Sequence, residues 1–237
     1  MLFLPFLLDI VGFTKISSEL EPRKIANMLD RLYTKFDGLS QEHDIFKVET
    51  IGDAYMAVTN LVKDQPGDHA SRIANFAVDA IEAANETLIN EDDPFMGHVD
   101  IRVGFHTGPV VADVVGSKNP RYCLFGDTVN TASRMESNSK KNRIHCSQAA
   151  LDQLRIESYP LPIASRGFIN VKGKGNMATY WVNEAGLPAA AIPLSTVPED
   201  DLTESERFIS SLSNHNHHLV PPMPPRQVKP QRRASTR

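Results

Sequence analysis

The sequence predicts an α+β fold: an antiparallel sheet of ferredoxin-like βαββαβ order with helices packed on one face, followed by a disordered tail. Three observations carry this. Hydrophobic periodicity switches between two and about 3.6 residues along the first half of the chain. The switches run strand, helix, hairpin, helix, strand, the order of the βαββαβ arrangement. The composition then changes abruptly after Glu184. The chain's 237 residues suit one large domain with an appendage, and a hydrophobic content of 41% can fill its core.

The first element is the apolar run Met1 to Leu8, read as a buried strand closed by Asp9. Val11-Gly12-Phe13-Thr14 leads away from it. Ile25, Met28, Leu29, Leu32 and Phe36 then fall at helical spacing behind Pro22, a residue favoured in a first turn, with Gly38 as the expected stop. Ile45 to Val48 and Tyr55 to Thr59 form a hairpin through Thr50-Ile51-Gly52-Asp53. A second helix carries Ile73, Phe76, Ala77, Ala80, Ile81 and Ala84 on one face. Val99, Ile101, Val103 and Phe105 alternate as a strand that ends at the turn His106-Thr107-Gly108-Pro109.

Beyond Glu184 lie 8 of the 16 prolines, and residues 186–237 read as a disordered tail, acidic first and basic from Arg226 onward. The folded domain is therefore expected at 1–185. Lys and Arg number 25 against 29 for Asp and Glu, a net charge of −4, which argues against a nucleic-acid partner. Two cysteines, Cys123 and Cys146, cannot build a disulfide framework and fit a reducing compartment such as the cytoplasm. The apolar start is far shorter than the ~20 residues of a membrane span. It also lacks the basic flank and cleavage site of a secretory signal. It suits either a compact soluble protein or a chain whose upstream part is missing.

Asp9 and Asp53 each sit at the end of a predicted strand. If the first strand lies beside the hairpin, both carboxylates face one opening, where like charges are costly without a cation. Magnesium is the natural one, since it is held by one or two carboxylates plus substrate phosphates. On spacing alone, a strand terminator and a Gly-Asp turn account for the pair better than a metal site does. Gly12, with Phe13 and Thr14 after it, lets backbone N–H groups approach an anion. No GxxxxGK[ST] is present, so the chain is not a P-loop NTPase. Val171-Lys172-Gly173-Lys174-Gly175 offers two ammonium groups to a polyphosphate, or is an ordinary Lys-Gly hairpin.

Six ordered motifs add what spacing cannot: DIVGFT at 9–14, KVETIGDAYM at 47–56, HTGPVV at 106–111, PRYCLFGDTVNTASRMES at 120–137, RGFINVKGKG at 166–175 and TYW at 179–181. Together they resemble the catalytic domain of class III nucleotide cyclases, most of all the eukaryotic guanylate cyclases of receptor or soluble type. In that family a nucleoside triphosphate becomes its 3′,5′-cyclic monophosphate plus pyrophosphate. The resemblance implies two divalent ions, Mg²⁺ or Mn²⁺, held at Asp9 and Asp53 with Ile10 beside them. One lowers the pKa of the attacking 3′-hydroxyl and the other neutralises the β and γ phosphates. It also implies that Asn130 orients the ribose and Arg134 stabilises charge at the α-phosphate, a role suited to a permanently ionised fork of donors. Spacing puts those two on one face of a helix placed at about 128–138. Lys172, and with it Lys118, would serve the terminal phosphates.

Glu49 and Cys123 occupy the resemblance's base-reading positions. A carboxylate accepts the paired N1–H and N2 donors of guanine and repels the N1 acceptor of adenine, while Cys123 offers a weak S–H donor toward O6. Adenylate cyclases carry lysine and aspartate at these two places. GTP is therefore the expected substrate, with adenylate cyclase activity the alternative. Sites of this family form head to tail between two domains. The metal aspartates and base-reading pair lie across the interface from Asn130 and Arg134. This chain has both sets, so a homodimer with two composite sites is expected, or a heterodimer with a related cyclase chain.

Asp113 departs from the family pattern, standing where a glycine is usual, and is expected to strain the strand or disturb nearby phosphates. It leaves a silent, regulatory cyclase-like partner as the rival to an enzyme. Receptor and transmembrane segments are absent, so the chain is expected in the cytoplasm. It would meet a membrane only through missing upstream sequence, as the cytoplasmic part of a larger cyclase. In the tail, Arg232-Arg233-Ala234-Ser235 has the form of a basophilic kinase site, and His215, His217 and His218 are read as solvated.

Overall fold

The computed structural model describes residues 2–184 and 187–188. Strand β1 is Leu4–Ile10, followed by helices α1 at Phe13–Glu19 and α2 at Pro22–Glu42. The hairpin β2 (Phe46–Ile51) and β3 (Ala54–Thr59) leads to α3 (His69–Asn85) and β4 (Ile101–Phe105). A separate ribbon, β5 (Val111–Val115) with β6 (Arg121–Phe125), precedes α4 (Asp127–Ser137). Then come β7 (Ile144–Ser147), α5 (Gln148–Ile156), β8 (Pro162–Val171), β9 (Gly175–Val182) and the short β10 (Leu187–Pro188). The main sheet has the order β10-β8-β9-β7-β4-β1-β3-β2 and is antiparallel except where β4 meets β7.

The expected βαββαβ core is present, with β1 between β3 and β4. Leu4, Phe6, Leu8 and Ile10 of β1 face one way and are buried, with the Phe6 ring 5.1 Å from Phe76 of α3. Tyr55 of β3 meets Phe36 of α2 at 5.6 Å on the same side. Both helices of that core thus pack on one face, where the alternation of each strand places its larger apolar residues.

The opposite face is covered by α4, which lies beyond that core. Leu7, Met56 and Val58 pack there against Ala132 of α4 and Leu124 of β6. Gly104 makes this possible: a Cβ on it would lie 1.9 Å from the Glu136 backbone nitrogen. The helix backbone therefore rests directly on β4.

Several local expectations are corrected. Gly38 does not stop α2, which runs on to Glu42 with Ser40 buried. One helical glycine costs only about 1 kcal/mol, which buried contacts on both sides override. Phe13–Glu19, to which the sequence pattern assigns no element, closes into a helix. The hairpin strands reach inward to leave only Gly52 and Asp53 as the turn, with Gly52 at φ 64. Asp113 causes no strain: its strand pairs in regular register with β6 and its carboxylate accepts a 2.7 Å bond from the Val114 N–H. Leu187–Pro188, read as part of a disordered tail at 186–237, instead pair with β8 as β10, and the rest of that tail, with His215, His217, His218 and Ser235, lies outside the described residues. Among the described residues no helix is long and apolar enough to cross a membrane.

Candidate active site

Asp9 is the penultimate residue of β1 and Asp53 the second residue of the β2–β3 turn. Because β1 and β3 are neighbours, the strand end and the turn come together. The two carboxyl groups face one another, and the Asp53 carboxyl is pushed up to about 6 by burial first and then by the neighbouring Asp9 carboxyl, with Arg102 working in the opposite direction. Two carboxyl groups this near each other are at ease only when one keeps a proton. A divalent cation between them would replace that proton, so the pair fits a metal site.

Among the described residues no group of three or more His, Cys, Asp and Glu side chains forms a metal cage. Two aspartates that leave further coordination to water and substrate are what Mg²⁺ favours. Ile10 can take part only through its backbone, since its side chain is buried in the core at 2% exposure.

Arg102 and Glu136 are the residues that sequence reasoning missed. Arg102 lies opposite Asp9 in the β1–β4 register. Its Nη2 donates to Asp9 Oδ2 at 2.6 Å, and its Nε donates to the Glu136 carboxylate. Burial raises the Glu136 pKa, while the Arg102 guanidinium opposes that rise. A signal existed: strict alternation puts Arg102 on the Asp9 face of β4. Tyr33 of α2 closes the opposite flank, its hydroxyl donating to the Gly52 carbonyl at 3.1 Å. Its phenol is pushed up to about 12 by burial and by Asp53 and Asp9.

Gly12, at φ 74, turns the chain from β1 into α1. The N–H groups of Phe13 and Thr14 open that helix, where main-chain acceptors run out. This places two N–H groups without a helical partner just past the end of β1 that carries Asp9.

Glu49 of β2 lines a cleft of about 300 Å³ with Val48, Thr50, Arg121 and Tyr122. The Phe46 and Tyr122 rings, 5.8 Å apart, hold β6 against β2. Cys123 follows Tyr122 and is half-buried, whereas Cys146 is fully buried and its thiol is pushed up by burial. Glu49 and Cys123 thus lie on strands of two different sheets that touch through Phe46 and Tyr122, and Cys123 itself does not line the cleft.

On α4, Asn130 is exposed and Arg134 half-buried, one turn apart, and Arg134 has no side-chain ion pair among the described residues. Lys172 is exposed at the β8–β9 tip. Its neighbour Lys174 is instead ion-paired with Asp127 at the start of α4, which leaves Lys172 as the lysine open to a phosphate. Lys118 is exposed in the β5–β6 connection.

The sheet thus sets two carboxyl groups at the end of β1 and in the β2–β3 turn, with the Glu49 cleft on the neighbouring hairpin strand. Residues 4–184 match the family described as the adenylate and guanylate cyclase catalytic domain, and the chain belongs to it. It is 51% identical over 175 residues to human guanylate cyclase soluble subunit beta-2, spanning 73% of this chain and 27% of that protein. To rat retinal guanylyl cyclase 2 it is 49% identical over 174 residues, 73% of this chain and 16% of the relative. The chain thus spans about a quarter or less of these relatives. The guanylate cyclase domain of RhGC from Catenaria anguillulae, solved in complex with GTP, is 40% identical. It superposes with a TM-score of 0.70 over 76% of this chain and 95% of that one. The adenylyl cyclase CyaB from P. aeruginosa reaches the same TM-score, 0.70, at 22% identity. The fold alone therefore does not choose between bases.

Proposed function

We propose that this chain is a guanylate cyclase that converts GTP to 3′,5′-cyclic GMP and pyrophosphate. The observation that carries the reading is the Asp9–Asp53 contact, a pair of carboxyl groups that a divalent cation would separate and satisfy. Asp9 and Asp53, with the Ile10 backbone, would hold Mg²⁺ or Mn²⁺. When bound, such ions acidify the 3′-hydroxyl and neutralise phosphate charge.

The remaining steps belong to the chain's own side chains. Asn130 orients the ribose so that its 3′-oxygen lies in line with the α-phosphorus. Arg134 stabilises the charge that builds on the α-phosphate as the bond to the β-phosphate oxygen breaks. Lys172, aided by Lys118, and the Gly12–Thr14 turn hold the departing pyrophosphate. Glu49 accepts from guanine N1–H and N2–H, with Cys123 donating toward O6. The Glu49 cleft supports GTP over ATP.

Each active site is completed by a second copy, with Asp9 and Asp53 of one chain facing Asn130 and Arg134 of the other. The exposed Val111, Val114, Val115 and Phe125 on the β5–β6 ribbon are apolar surface that such an assembly would cover.

Purified protein incubated with GTP or ATP, with Mg²⁺ or Mn²⁺, should yield mainly cyclic GMP. Predominant cyclic AMP would overturn the base assignment, and no product from a dimeric preparation would favour a silent partner. Mixing Asp53→Ala with Arg134→Ala chains should restore activity through one intact site. No recovery counts against shared sites.

A further inference from the structure

Glu136 is a carboxylate at 8% exposure, and its one hydrogen-bond partner among the described residues is the Arg102 guanidinium. Arg102 in turn holds Asp9 Oδ2 at 2.6 Å, and the Asp9 side chain is itself only 18% exposed. The three form one chain from the α4 backbone, through β4, to the metal-binding end of β1. Its anchor is rigid, because the Glu136 backbone is seated on Gly104, two residues along β4 from Arg102 and on the same face. The faces of α4 matter equally. Asn130 and Arg134 share one side, whereas Glu136, two residues past Arg134, lies about 200° further round the helix.

We propose that Glu136 is a positioning residue for the metal-binding half of its own chain's site, acting through Arg102 on Asp9. Each α4 would then tie the metal half of one composite site, on its buried face, to the ribose and transition-state half of the other, on its open face. The physical need is clear. A guanidinium beside two metal-binding carboxylates competes with the cation unless its own charge is taken up elsewhere, and Glu136 takes it up. This inference rests on the shared-site reading above for its second half only.

Mn²⁺ binding to the nucleotide-free protein, followed by electron paramagnetic resonance, tests the pair without turnover. Glu136→Gln should weaken Mn²⁺ binding about tenfold, the lower end of the range for groups that orient metal ligands. The charge-balanced Arg102→Gln/Glu136→Gln protein should bind more tightly than the single variant, since no unpaired guanidinium then holds Asp9. Unchanged affinity in a Glu136→Gln protein that melts cooperatively overturns the proposal, as does a double variant no tighter than the single one. If Glu136→Gln does not fold, Glu136→Asp, with its carboxylate withdrawn by one methylene, is judged by the same criterion.

The mixed dimers test direction. Glu136→Gln placed in the Arg134→Ala chain, which supplies Asp9 and Asp53 to the intact site, should lower activity about tenfold. Placed in the Asp53→Ala chain, it should leave activity nearly unchanged. The reverse pattern would show Glu136 acting on Asn130 and Arg134 and would overturn the proposal. If the unsubstituted mixture recovers nothing, the shared site fails and the Mn²⁺ result alone decides Glu136.

Discussion

Replacing Asp53 by Asn should make the metal-free protein more stable while removing its response to divalent cations. Burial and the neighbouring Asp9 carry the Asp53 pKa from its ordinary 3.8 to about 6. The folded chain therefore keeps a proton that the unfolded chain releases at lower pH. The stability associated with that proton is full below about pH 4 and is lost as pH rises through about 6. At pH 7 the ionised pair is left facing itself. The displacement corresponds to at most about 3 kcal/mol. Solvent reaches the turn, and screening reduces the figure to roughly 1 kcal/mol.

Asparagine can donate a hydrogen bond to Asp9 without the second charge. In EDTA at pH 7, thermal unfolding of Asp53→Asn should shift upward by about 2–4 °C relative to the parent. The gap should close at pH 4.5, where the parent is protonated. Added Mn²⁺ should raise the parent's midpoint, as any ligand of the folded state does, and leave the variant's alone. A variant no more stable than the parent at pH 7, or a gap that persists unchanged at pH 4.5, would refute the reasoning.

Three further outcomes follow from the packing and the cleft. Mn²⁺ affinity of the parent, measured by calorimetry, should fall about tenfold between pH 7 and pH 5 as Asp53 takes up its proton. A flat profile would mean that Asp53 is not a ligand. Gly104→Ala should cost about 3 kcal/mol in urea denaturation, because its Cβ would lie 1.9 Å from the Glu136 nitrogen and neither backbone can withdraw. Glu157→Ala should cost about 2 kcal/mol in the same assay. That carboxylate, 2% exposed on its side chain, accepts from the Ala70 and Ser71 N–H groups at 3.1 and 2.7 Å. It thereby caps α3 from α5, and an alanine leaves those donors unpaired.

Much of the architecture lies in local pattern. Even-numbered residues of β1 and odd-numbered residues of β4 alternate into the core, so the βαββαβ order follows from periods that each segment carries alone. The extent of α2 does not. Gly38 is a stop signal by propensity, and Ser40 buried beyond it shows tertiary contact overriding a cost of about 1 kcal/mol. Helix α1 is equally hidden, since seven residues with no buried side chain have no amphipathic stripe to reveal them.

At the site the division is similar. Asp9, Asp53, Asn130 and Arg134 are visible because each sits at a strand end, in a turn or at helical spacing within a motif. The fate of Lys174 is not. Its partner Asp127 is 47 residues away, and only the folding of the β8–β9 tip onto α4 shows that one of two equivalent lysines is already paired. By itself, then, the sequence determines the order of the βαββαβ core, the family and the residues proposed to bear the chemistry. The tertiary structure alone decides that Glu136 reaches Arg102 from 34 residues away and that Arg102 reaches Asp9 from 93. Charge compensation depends on distance in space, and that distance exists only once β4, β1 and α4 are packed together.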